Sequence, residues 1–147
     1  MSVDMTKWCE LARKNIHDRP AGVGRMAGKI CIVTGAAQGF GKGIAEELAA
    51  EGAYIVVADM NEDGAKECAA AICDKYGKGA AIAVKTNVTD EESVKEMVSR
   101  AVLEYGGLDV FVNNAGIVRA GGVDEMTKEN FELVPAVNYT AYFLCVK

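Results

Sequence analysis

The sequence predicts an α/β fold, a doubly wound parallel sheet, on three observations. From Lys29 onward, short apolar runs alternate with amphipathic stretches in the order β-α-β-α-β-α-β-α. None of the four apolar runs carries a polar face, so each strand needs cover on both sides. The first run also passes through a glycine-rich turn directly into a helix. That junction can hold an anion, because the free N–H groups of the helix's first turn face it and the helix dipole attracts it.

The elements follow in order. Lys29 to Thr34 is strand one. Gly39 to Glu51 is helix one, with Ile44, Ala45, Leu48 and Ala49 on its apolar face and Gly52 as its stop. Ala53 to Ala58 is strand two, closed by Asp59. Asn61 caps helix two, whose Ala65, Cys68, Ala69, Ile72 and Cys73 form one stripe before Gly77. Ala80 to Thr86 is strand three. Thr89-Asp90-Glu91-Glu92 reads as a capping box for helix three, which buries Val94, Met97, Val98, Ala101, Val102 and Tyr105 and is followed by Gly106. Leu108 to Val112 is strand four. Residues 127–147 read as helical, with Pro135 interrupting that helix or starting its longer half. Right-handed crossovers between these units wind the sheet in both directions.

The chain of 147 residues is long enough for one domain with a real core, and its 50% apolar and 25% charged composition is that of an ordinary globular protein. A net charge of −5 argues against a nucleic-acid or anionic-membrane partner. The five cysteines include no C-x-x-C pair, which fits a reducing, cytoplasmic setting. Cys31 and Cys68 fall on apolar faces, as free core thiols do. The single histidine, His17, makes a His-based metal site improbable. No run of about 18 apolar residues exists to span a membrane, and the polar N-terminus with its early Asp4 is not a signal peptide. Residues 1–28 precede the first strand as an extension. Trp8, Leu11, Ala12 and Ile16 have helical spacing and are followed by a breaking stretch at residues 17–22. The extension reads either as a docked helix and linker or as a junction to another domain or subunit. Residues 29–147 form the dinucleotide-binding part.

In a doubly wound sheet, ligands bind at the carboxyl ends of the strands, near the point where the winding reverses. The glycine turn follows strand one, Asp59 strand two, Asn87 strand three and Asn113-Asn114-Ala115-Gly116 strand four. All four therefore line one crevice. With these residues in place, the chain resembles the short-chain dehydrogenases/reductases. Thr34-Gly35-Ala36-Ala37-Gln38-Gly39-Phe40-Gly41 is similar to that family's T-G-x-x-x-G-x-G loop. Asn113-Asn114-Ala115-Gly116 is similar to its N-N-A-G, and Val137-Asn138 to its helix asparagine. The resemblance covers Gly28 to Lys147 and implies a Rossmann-type sheet.

The resemblance also implies site roles. Gly35, Ala37, Gln38, Gly39, Phe40 and Gly41 would hold the cofactor's phosphates. Asp59, with Met60 beside it, lies where a carboxylate accepts both adenosine ribose hydroxyls. A 2′-phosphate at that point would meet a like charge, worth about 4 kcal/mol at ~4 Å and an effective dielectric near 20. No Arg or Lys stands at Gln38 or just after Asp59 to offset it, so NAD is favoured over NADP. Asn87-Val88 replaces the family's usual Asp-Val beside the adenine. Asn87 can still accept from the adenine amino group, or it can serve only as a turn residue before helix three. Asn114, Ala115 and Gly116 would form a backbone shelf for the nicotinamide-side ribose and a brace between strands, with Asn113 structural. Asn138, in a mid-helix position that asparagine disfavours, corresponds to the residue that helps hold a water in the family's proton relay. Tyr139, Tyr142 and Cys145 read as helix packing.

The family's general acid/base is a tyrosine with a lysine four residues on, and no lysine in this chain has a tyrosine four residues before it. The expectation is therefore a sheet truncated after about four strands, part of a longer enzyme and inactive by itself. Its strand-four edge and its Phe131, Leu133, Phe143 and Leu144 would be left open. An NAD-dependent dehydrogenase acting on a small alcohol or ketone (a polyol, sugar or hydroxy compound), assembled as a homo-oligomer (dimer or tetramer), is the leading expectation. A 3-oxoacyl thioester reductase and a non-catalytic dinucleotide sensor or scaffold are the alternatives.

Overall fold

The computed structural model describes Thr6, Glu10 and residues 24–147. The helix expected around Trp8 to Ile16, with Cys9 and His17, lies outside the described residues.

Four parallel strands form one sheet: β1 (Ile30–Thr34), β2 (Tyr54–Asp59), β3 (Ala81–Lys85) and β4 (Val110–Val112). Their spatial order is β3-β2-β1-β4. The chain winds outward through β2 and β3, then crosses back to place β4 on the other side of β1. The winding thus reverses between β1 and β4. The register pairs Cys31 with both Ile55 and Val110, and Val33 with both Val57 and Val112.

Helices cover both faces, as the unrelieved apolar strands require. On one face, α1 (Gly39–Ala50) and α2 (Glu62–Tyr76) bury Ala45, Ala49, Ala65, Cys68 and Ile72 against Cys31, Val33, Ile55 and Val57. On the other, α3 (Glu91–Tyr105) buries Val94, Met97, Ala101 and Tyr105 against Ile32, Val56, Ala58 and Val84. Each fully buried side chain the size of Ile72 or Met97 contributes about 1.5–3 kcal/mol. Burial, helped by the nearby Asp109 charge, pushes the Cys31 thiol up to about 11, so it is an inert core group. Tyr105 stacks on Tyr54 with ring centroids 5.4 Å apart, and its hydroxyl donates to Gly79 O at 3.2 Å. Residues 24–28 dock on the α1–β2 turn, where Met26 N–H donates to Glu51 O and Gly28 N–H to Gly52 O.

Three expectations are corrected. The cap of α3 is Asp90, whose carboxylate accepts from Glu92 N–H at 3.1 Å. Thr89 is not the cap, because its hydroxyl and its N–H both donate to Asn87 Oδ1 and hold it one residue too early. The last helical segment is not interrupted at Pro135. It runs as α4 (Lys128–Pro135), a π turn (Ala136–Thr140) and α5 (Ala141–Val146). Pro135 has no N–H to give, and the wider turn that follows absorbs the misfit. Finally, Val98 and Val102 on α3 are half-buried rather than buried, and Tyr139 and Tyr142 are exposed rather than packed. Cys145 does pack against the α3 face of the sheet. Among the described residues no helix is long and apolar enough to cross a membrane, and no cluster of residues could hold a metal ion.

Candidate functional site

At the carboxyl ends of the strands a cleft of ≈ 430 Å3 opens. Gly35, Gln38, Gly39, Phe40, Gly41, Asp59, Met60, Asn87, Val88, Asn114, Ala115 and Gly116 all line it. Of the cofactor-binding residues expected from sequence, only Ala37 does not line it. Thr86, Ile117 and Val137 line the cleft as well, and sequence reasoning assigned them no part.

The loop after β1 leaves no room for a side chain at Gly35 or Gly41. Gly35 has φ +66°, and a Cβ on Gly41 would collide with Gly35 O. Gly39, at φ +58°, faces open space. Here α1 begins without help from any side chain. Gln38, at its N-cap, makes no capping hydrogen bond, and no acidic residue stands in the first turn. The caps of α2, α3 and α4 are by contrast filled by Asn61, Asp90 and Thr127. The first N–H groups of α1 are thus left for an anion in the cleft. Two large apolar side chains also stand exposed at its wall, Phe40 at 89% and Met60 at 67%. A ligand with both phosphates and flat apolar rings matches this wall.

Asp59 ends β2 with both carboxylate oxygens already engaged. Oδ2 accepts from Ala37 N–H at 2.9 Å, and Oδ1 accepts from Asn61 N–H at 2.8 Å. Each oxygen retains a lone pair for a further donor. Asn87 is also partly committed. Its Oδ1 accepts from the Thr89 hydroxyl at 2.8 Å and from Thr89 N–H at 3.1 Å, while its own N–H donates to Ser93 Oγ at 2.9 Å.

The wall after β4 hangs on one buried hydroxyl. Thr34 Oγ1 accepts from the backbone N–H groups of Asn114 and Ala115, each at 3.1 Å. It lies 3.3 Å from Val112 O and 3.5 Å from Asn113 Oδ1, either of which can take its proton. The Asn114 side chain donates to Thr34 O at 2.9 Å and to Gly35 O at 3.2 Å, stitching the first loop to the fourth. Thr34 carries this joint, yet only its place in the glycine motif was visible in sequence. A hydroxyl at the end of an apolar strand is the signal that could have found it.

Asn138, in the π turn, places its carboxamide against the backbone of Ile117. Its Oδ1 accepts from Ile117 N–H and its Nδ2 donates to Ile117 O, both at 2.8 Å. The side chain thereby anchors the segment leaving the cleft, and these two bonds use only one of its two Nδ2 N–H groups.

Comparison with known proteins agrees with this geometry. Residues 29–147 match the family model described as short chain dehydrogenase. The chain is 44% identical over 119 residues to the uncharacterized oxidoreductase YuxG of Bacillus subtilis, covering 81% of this chain and 17% of that protein. It is 40% identical over 123 residues to the 2,5-dichloro-2,5-cyclohexadiene-1,4-diol dehydrogenase LinX of Sphingobium indicum, covering 84% of this chain and 48% of that one. Among solved structures, the 3-ketoacyl-(acyl-carrier-protein) reductase of Brucella melitensis, complexed with NADH, superposes with a TM-score of 0.74 at 34% identity, over 81% of this chain and 47% of that chain. The chain thus spans about half the length of LinX and of the Brucella reductase, and less of YuxG. With its family model matched over the whole sheet and its strand-end loops meeting in one cleft, the chain belongs to the short-chain dehydrogenase family.

Proposed function

We propose that this chain is the NAD-binding portion of an oxidoreductase that moves a hydride between nicotinamide and the carbon of a small alcohol or ketone. The observation that carries the reading is Asp59. It is a carboxylate on the cleft wall at the end of β2, level with the uncapped start of α1. The α1 N-terminus and the bare Gly39 hold the phosphates. Asp59 accepts from the ribose hydroxyls on its remaining lone pairs and repels a 2′-phosphate, which makes NAD the cofactor rather than NADP. Met60 and Val88 flank the adenine, with Asn87 at its edge. Asn114, Ala115 and Gly116 shelve the second ribose. When bound, the nicotinamide supplies the hydride acceptor or donor.

Asn138 acts as a positioning residue. Its carboxamide holds the Ile117 backbone through its oxygen and one N–H, and its service to a proton relay comes through that held backbone and the second N–H. No tyrosine–lysine pair of the family's spacing lies within the 147 residues, so we propose that this chain binds the cofactor without turning over an alcohol. A cytoplasmic location and a homo-oligomeric assembly belong to the same reading.

The test is titration of NAD and NADP, followed by the same titrations on Asp59→Ala. NAD binding the tighter, with a preference that narrows by about tenfold in the variant, is the expected result. An unchanged NAD/NADP ratio overturns the role of Asp59. Likeness to the Brucella reductase favours a second reading, reduction of a 3-oxoacyl thioester. Assay of the complete gene product on polyols and on 3-oxoacyl thioesters separates the two. A stop codon directly after residue 147 would instead favour a dinucleotide sensor or scaffold.

A further inference from the structure

Gly64 sits in the first turn of α2, where glycine is a poor choice. Its backbone does not demand glycine, since its φ is not among the positive ones. Alanine would be the better helix former there. What excludes a side chain is the neighbourhood. A Cβ on Gly64 would lie 2.7 Å from Asn61 Nδ2 and 3.0 Å from Ala37 Cβ. Ala37 belongs to the glycine loop, and its N–H is the one that Asp59 Oδ2 accepts at 2.9 Å. Asn61 closes the circle, giving its own N–H to Asp59 Oδ1 at 2.8 Å and accepting Gly64 N–H on its side-chain oxygen at 3.2 Å. Loop, strand end and helix start therefore meet at one small joint, where the bare Gly64 faces the Asn61 side chain and the Ala37 methyl.

We propose that Gly64 is a positioning residue for the phosphate-binding loop: the missing side chain lets Ala37 seat against α2, and that seat brings the Ala37 N–H onto Asp59. The proposal rests on the dinucleotide reading for its consequence but not for its geometry. Gly64 lies behind the wall and does not line the cleft. A methyl group at position 64 must displace either the Asn61 cap or the loop. These two outcomes differ in what they disturb. Loss of the cap loosens α2 alone, whereas displacement of the loop carries Ala37 off the carboxylate and spoils the cradle for the phosphates.

The experiment compares Gly64→Ala, Ala37→Gly and the double variant in the complete protein. The first readout is hydrogen exchange of the residue-37 amide without cofactor. Exchange about tenfold faster in Gly64→Ala, and restored when Ala37→Gly is added, is the expected result. The second is NAD affinity by calorimetry, expected to weaken by about five- to tenfold and to recover in the double variant. If residue-37 exchange and NAD affinity both hold while only thermal stability falls, Gly64 serves the cap and the proposal is overturned. Failure of Ala37→Gly to rescue either readout overturns it too. If the unmodified protein binds neither NAD nor NADP, the dinucleotide reading falls, and the exchange readout still decides the role of Gly64.

Discussion

At the scale of single residues, the site depends on atoms with two duties. Thr34 is fully buried, and its hydroxyl is the acceptor that holds Ala115 N–H. Valine has nearly the same shape and no acceptor. Thr34→Val is therefore expected to leave that N–H orphaned and cost about 1–3 kcal/mol, checked by urea unfolding. On the proposed dinucleotide reading, NAD affinity should fall with it, because the Asn114–Gly116 backbone loses its support. The place of Asp59 on the cleft wall was legible in sequence, since it closes the apolar strand that leads there. Thr34 was legible only as a letter of the motif. Its partners come from β4, some 80 residues away, and no local pattern reports that β4 lies beside β1 rather than beside β3. Separation along the chain likewise hid the packing of Gly64 beside Ala37, which joins two elements that each read well alone.

At the scale of elements, the alternation of runs was readable because each strand is short, apolar and followed by an amphipathic helix with a glycine stop. The ends were less so. At the start of α3 both Thr89 and Asp90 are good caps, and the choice falls to Asp90 because Asn87 captures the Thr89 hydroxyl. The last helix misled for a different reason. Pro135 is normally a breaker, but the π turn that follows keeps the axis running and turns Asn138 toward Ile117. At the other end of the sheet, β1 and β4 are pinned by Asp109. Its carboxylate accepts from Ile30 N–H at 2.9 Å and from Lys29 Nζ at 3.1 Å. The Ile30 N–H first, and Lys29 second, hold the Asp109 carboxyl below its usual value of 3.8. A depressed value in the folded state means that the unfolded chain takes up this proton first as pH falls. The stabilisation is thus complete above the usual carboxylate range and is lost as pH drops through the folded value. Asp109→Asn should lower stability at neutral pH and flatten its decline below about pH 4, read by thermal melts across an acid series.

At the scale of the whole molecule, one edge of the sheet and one helical face decide the behaviour of the 147-residue chain on its own. Among the described residues, β4 pairs only with β1. The α4–α5 segment leaves Phe131 70% and Phe143 59% exposed, with Tyr139 and Tyr142 beside them. An unpaired edge next to an aromatic face favours association. Light scattering on this chain should therefore give a mass above that of one copy, falling on dilution. A monomer at all concentrations would show that the edge is covered in some other way. The stitch from Asn114 to the Thr34 and Gly35 carbonyls has a consequence of another kind, in time rather than energy. It ties two walls of the cleft together before any ligand arrives. On the proposed reading, entry of the dinucleotide needs no slow rearrangement of those walls, so its capture should proceed at the pace of encounter, and residence time alone should distinguish a good ligand from a poor one.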